Sequence, residues 1–160
     1  MDYERNPGVE EDTQQGRYLT FSVGGEIYGL EIAAVREIVG IQPITPLPDS
    51  SGAVKGIINL RGRIISVTDA RLRFGMAPAE YTDNTCIIIV DSQSGQAGLI
   101  VDNVCEVLTI DDENIVAPPQ LSSGGPGVLK AIGKVGNEVK LLLETKRLFD
   151  DNGPKTAANQ

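Results

Sequence analysis

The sequence predicts an all-β protein with short helical elements. About ten short apolar segments follow one another, each bounded by Gly, Pro, Asn or Asp. Leu19, Phe21 and Val23 alternate with Tyr18, Thr20 and Ser22, the period of a half-buried strand. Cys86-Ile87-Ile88-Ile89-Val90 is a continuous apolar run of strand length, suited to burial on both faces. Short strands with regular turns suit barrels or a sandwich, and the pattern does not choose between them.

Along the chain, Gly24-Gly25 turns the first strand into Glu26–Leu30. A short helical element near Glu31–Val35 then leads into a strand over Arg36–Ile41. Ile32, Val35 and Ile38 lie three apart, which sets one packed face against a charged one. The prolines of Ile44-Thr45-Pro46-Leu47-Pro48 bar a regular central strand and predict an edge or exposed ledge. Two strands flank the bend Asn59-Leu60-Arg61-Gly62. There Gly62 can take a positive φ, and the Asn59 side chain can bond to the backbone. Arg61 would then stand at a rigid strand end, where its planar five-donor group can engage a partner selectively. Gly56, just upstream, marks either a bulge or a close backbone approach.

In the second half, Ser94-Gly95 can turn the apolar run back into Ala97–Val101, followed by Val104–Leu108. Asp111–Gln120 is an acidic, proline-containing connector, and Gly124-Gly125-Pro126-Gly127 a flexible joint. Val128–Val135 and Val139–Leu143 form a hairpin through Gly136-Asn137. A helical turn from Thr145 carries Leu148 and Phe149 inward. Residues 1–15 and 151–160 are polar and are expected to be disordered tails around a folded region of 16–150.

Composition narrows the function. The chain has 160 residues, enough for one sizeable core or two small barrels sharing one. With no tryptophan, Ile, Val and Leu must supply most of the packing. A formal charge of −8 argues against nucleic acid and anionic lipid as main partners. Cys86 and Cys105 make no disulfide framework, and each sits in an apolar run as a small hydrophobe expected to be buried. No apolar leader or membrane-length run is evident, so a cytoplasmic protein without direct membrane insertion is expected.

Chemistry is sparse. The chain has no histidine, which removes the commonest general base and metal ligand. Asp111-Asp112-Glu113 lacks the order of a calcium loop, and the glycine joint lacks the Gly-Lys-Ser/Thr of a phosphate loop. No serine has a Gly-x-Ser-x-Gly context. Asp69 and Asp102 could meet in space, but their spacing cannot show it. No catalytic site, metal or cofactor is expected.

The segment Gly56-Ile57-Ile58-Asn59-Leu60-Arg61-Gly62 resembles the Gly-x-x-Asn-Leu-Arg-Gly signature of the CheW-like family, adaptors of chemotaxis. The likeness runs from about Gly16 to Asp150 and takes in Tyr28–Ile32, Arg36–Ile38, Ile44–Pro48, Asp83–Thr85, Gly98–Asp102 and Leu141–Phe149. Ser66 and Ala70 depart from the family's usual proline and leucine. The resemblance implies two five-stranded SH3-like β-barrels packed around a shared apolar core. It also implies a non-enzymatic scaffold coupling the cytoplasmic tip of methyl-accepting chemoreceptors to a CheA-type histidine kinase, recruited to receptor arrays. By motif position, the receptor-facing residues would be Leu19, Leu30, Ala33, Val35, Glu37, Arg61, Val104 and Cys105. The kinase-facing ones would be Ile44, Pro46 and Gly56. The alternatives are an adaptor of a parallel pathway for surface motility or development, or a β-barrel ligand binder or enzyme subunit.

Overall fold

Alternation along the first strand already separates two cores. In the computed structural model, Leu19, Phe21 and Val23 of β1 (Arg17–Val23) enter one apolar cluster while Tyr18 enters another. The structure describes residues 15–48, 52–92, 95–119 and 127–149. Of the expected tails, residues 1–14 and 151–160 lie outside them, as do residues 124–126 of the Gly124–Gly127 joint.

The remaining strands are β2 (Glu26–Glu31), β3 (Val35–Gly40), β4 (Val54–Leu60), β5 (Arg63–Asp69), β6 (Cys86–Ser92), β7 (Gly95–Val101), β8 (Asn103–Thr109), β9 (Ile115–Val116), β10 (Leu129–Val135) and β11 (Glu138–Leu143). They form two sheets. The six-stranded one runs β8-β1-β2-β11-β10-β9 and is assembled from both ends of the described chain, so we call it the terminal sheet. The five-stranded one runs β3-β6-β7-β5-β4 and uses the contiguous middle, the central sheet. The pairs β2–β11 and β5–β7 are parallel, and the other pairs are antiparallel.

Each sheet wraps its own cluster, and a third lies between them. Ile58, Leu60, Ile65, Val67, Ile87, Ile89 and Ile100 fill the central sheet. Tyr18, Ile110, Ala131 and Leu142 fill the terminal one. The shared cluster takes Leu19, Phe21, Leu30 and Leu143 from one side and Ile88, Val90, Leu99 and Val101 from the other. Strand β6 explains its own sequence: Ile87 and Ile89 point into the central cluster, Ile88 and Val90 into the shared one, and all four are wholly buried. Burying each such side chain stabilises the fold by about 1.5–3 kcal/mol. This is the expected architecture of two small units around a common core. The terminal sheet has a sixth strand, because two residues of the acidic connector, Ile115 and Val116, pair with β10.

Among the described residues, helical structure is confined to single turns, at Ile32–Ala34, Ala70–Arg73, Asp112–Asn114 and Thr145–Leu148. Leu148 is fully buried, as expected of the last turn, and Phe149 packs against the shared cluster. Asp69 caps Ala70–Arg73, its carboxylate accepting the Arg71 N–H at 2.9 Å. Two expectations fail. Ile38 does not share a packed face with Ile32 and Val35: the helical turn stops at Ala34, and on a strand with a bulge Ile38 points outward. Cys105 is exposed because β8 is an edge strand with one face in solvent, and Cys86, at the start of β6, is only half-buried.

Candidate functional site

The bend between β4 and β5 is a two-residue hairpin closed by the Leu60–Arg63 pair. Arg61 and Gly62 both take positive φ, 54° and 89°, as a type I′ turn requires. Asn59 supports the turn as the sequence suggests, its Oδ1 accepting the Gly62 N–H at 2.8 Å. Arg61 is the non-glycine residue with positive φ among the described residues. Its side chain crosses to the other edge of the central sheet and donates to both oxygens of Glu37 on β3, at 2.7 Å each.

This contact exists because the sheet curls closed. Thr45 and Ile57 exchange backbone hydrogen bonds at 2.9 Å, bringing the chain after β3 alongside β4. A rim of charge follows at one end of the central sheet. Arg63 on β5 lies 3.4 Å from Glu37 and also donates to the Gln96 side-chain carbonyl on β7. Arg36 on β3 donates to Asp91 on β6 at 2.7 Å. The Arg61 hydrogen bond holds the Glu37 carboxyl below its ordinary range, and Arg36 does the same for Asp91. Arg61 and Arg63 remain exposed. The rim therefore presents positioned guanidinium groups, with Ile64 exposed beside them at 62%.

The ledge before β4 is built by Gly56. Its φ is 147°, and a Cβ there would stand 2.1 Å from the Thr45 carbonyl oxygen. Gly56 is thus both a bulge and a close approach, since the β4–β5 register shifts beside it. It is buried, so it can serve a partner only by letting Thr45 and Pro46 lie against the strand. Pro46 is exposed, and Ile44 packs against the central cluster.

The groove residues separate. Leu19 and Leu30 are buried in the shared cluster and offer no surface, a correction to their sequence-based placement. Inward-pointing strand positions and groove walls draw on the same residue types. Val35 and Val104 are half-buried at the cluster's margin, and Ala33 and Cys105 are exposed. A cavity of about 360 Å³ opens where the sheets meet, lined by Glu31, Ala34, Asp91, Lys130, Leu143 and Lys146 among others. None of the predicted contact residues lines it. No motif marked it, because its walls come from β2, β6, β10 and the β11 end. Asp69 and Asp102 do approach one group, Arg71, but as acceptors of its N–H and its guanidinium rather than as an acid–base pair. Among the described residues there is no cluster able to hold a metal ion and no helix long and apolar enough to cross a membrane.

The fold and its arginine-bearing hairpin define an all-β domain of two sheets around a shared core. Residues 17–153 match the CheW-like domain, and the chain belongs to that family. It is 29% identical over 153 residues to a chemotaxis protein CheW of Treponema pallidum (strain Nichols), covering 91% of this chain and 89% of that one. To a chemotaxis protein CheW of Rhizobium meliloti (strain 1021) it is 41% identical over 112 residues, covering 69% and 72%. The crystal structure of the scaffolding protein TtCheW from Thermoanaerobacter tengcongensis superimposes with a TM-score of 0.80 at 37% identity, covering 86% of this chain and 94% of that one. By family the chain is a chemotaxis scaffold and not an enzyme.

Proposed function

We propose that this chain is an adaptor that holds the cytoplasmic tip of a methyl-accepting chemoreceptor and a CheA-type histidine kinase in a fixed geometry, in the cytoplasm at receptor arrays. The carrying observation is the Arg61 hairpin. A cation is held in a strained turn conformation, exposed, and oriented by Glu37 instead of being buried for stability. Val35, Glu37, Arg61, Ala33, Val104 and Cys105 are the assigned receptor contacts, with Leu19 and Leu30 shaping them from beneath. Thr45 and Pro46, seated by Gly56 and backed by Ile44, are assigned to the kinase. A receptor change biases the kinase only through different affinity for its states, so a rigid connector is what such coupling needs. No cofactor takes part.

The test is co-assembly. Purified wild-type protein should draw receptor tip and kinase into one complex, and Arg61→Ala should weaken that complex by about tenfold or more, as a central interface arginine does. Normal assembly by a folded Arg61→Ala protein would overturn the assignment of Arg61.

A further inference from the structure

The residues after β5 continue the central sheet in sequence but reach the terminal one with their side chains. Arg71 donates through Nε at 3.0 Å and Nη2 at 2.7 Å to the two oxygens of Asp102, at the joint between β7 and β8. The same carboxylate accepts the N–H of Gly24, in the β1–β2 turn, at 2.8 Å. Two positions on, Arg73 donates to the backbone carbonyls of Leu148 at 3.0 Å and Arg147 at 2.7 Å, in the last helical turn. Phe74 stacks on Tyr28 of β2 with ring centroids 4.7 Å apart. Met76 lies against the β1–β2 turn so closely that a Cβ on Gly24 would come within 2.5 Å of its sulfur. Asp69 ties down the start of this stretch by accepting the Arg71 N–H at 2.9 Å, and also accepts the hydroxyl of Tyr81, beyond its end, at 2.7 Å.

Apolar burial is non-directional, so the shared cluster can hold the sheets together without fixing the angle between them. A bidentate guanidinium–carboxylate pair has one good geometry. With its side chains only 26% and 32% exposed, the Arg71–Asp102 pair is also screened less than the rim pairs. We propose that residues 70–76 form a strap that sets the angle between the two sheets, with Arg71 and Arg73 as positioning residues through which occupancy of Val104 and Cys105 on β8 of the terminal sheet is felt at the ledge beside β4. The assignment of receptor and kinase to those surfaces rests on the proposed function; the strap itself does not. Lowering of the Asp102 carboxyl by Arg71 agrees with a pair formed in the folded state.

Two measurements test it. Spin labels on Ile64→Cys and Val139→Cys, both at exposed positions on opposite sheets, are placed in a Cys86→Ala, Cys105→Ser background. They should give one narrow distance distribution. Adding Arg71→Gln and Arg73→Gln should at least double its width, and an unchanged distribution would overturn the strap. Should the double variant fail to fold, Arg71→Lys, which keeps the charge but loses the fork, is read by the same distance. In reconstituted complexes, the double variant should bind receptor tip and kinase each within about twofold of wild type, while the receptor-dependent change in kinase activity falls at least fivefold. Retained control, or loss of either binary affinity, would refute the positioning role. A wild-type protein that binds neither partner would defeat the adaptor function, and the distance measurement would still decide the strap.

Discussion

Two hairpins in this protein share a backbone and differ in one residue. Gly24-Gly25 in the terminal sheet takes φ values of 61° and 88°, and Arg61-Gly62 in the central sheet takes 54° and 89°. The glycine pair enters that geometry without steric penalty, whereas an arginine there costs roughly 1–2 kcal/mol. The Gly-Gly turn is exposed as well, but Met76 lies against Gly24 and Asp102 ties its N–H. The Arg-Gly turn is exposed and tied to Glu37. One turn serves packing and accepts the residue best suited to its shape. The other keeps a residue poorly suited to its shape, and an exposed ion pair offsets little of that strain. Strain of this kind collects where a side chain is used.

The largest break in the comparison comes from the strand behind the arginine turn. Gly56→Ala should drive a methyl group into the Thr45 carbonyl and lower stability by about 3 kcal/mol or more, a fall in Tm on the order of 10 °C. Thermal denaturation checks this, and near-wild-type melting would show that the ledge yields. A second substitution separates strain from use. Arg61→Asn and Arg61→Gly should each melt above Arg61→Ala, by up to about 1 kcal/mol, because they suit positive φ better. All three should assemble poorly with receptor and kinase, so stability and assembly should rank differently. If they rank alike, the arginine works by holding the fold.

Glu37→Gln should produce a smaller loss of assembly, since it frees the Arg61 guanidinium without removing it. Titrating the complex against salt would show the change. Acid gives the smallest effect. Asp102 has its carboxyl lowered from 3.8 by Arg71, with the Gly24 N–H assisting. A depressed folded value means the pair's stabilisation is complete above the unfolded value and is lost as pH falls through the folded one. Unfolding curves below about pH 4 should therefore be shallower for Asp102→Asn than for wild type. Equal slopes would remove the pair from the acid response.

Much of this was legible in the sequence where a local rule governed. The doubly buried Ile87–Val90 run and the Asn59 support for Gly62 came through, because period and turn chemistry act over a few residues; the Leu19–Val23 strand formed too, but it is buried on both faces, with Tyr18 and Thr20 enclosed, instead of half-buried. The pairing of Arg61 with Glu37 did not, since it depends on the central sheet closing on itself. β9 is two residues long and the turn at Ala70 four, both too short to carry a period. Leu19 and Leu30 were misplaced for a different reason: a groove wall and a core wall have the same composition, and only burial separates them.

The parallel pairing of β2 with β11 has a consequence for how the protein is made. Tyr28 must meet Leu141, more than a hundred residues later, before the terminal sheet is whole. Contacts so distant along the chain carry a loop-closure cost and slow folding. During synthesis β1 and β2 emerge first but must wait for the last strands, while β3 to β7 can pair among themselves as soon as they are free. The central sheet should thus be complete on the ribosome while the terminal sheet is still an open ribbon, and the shared core should close last.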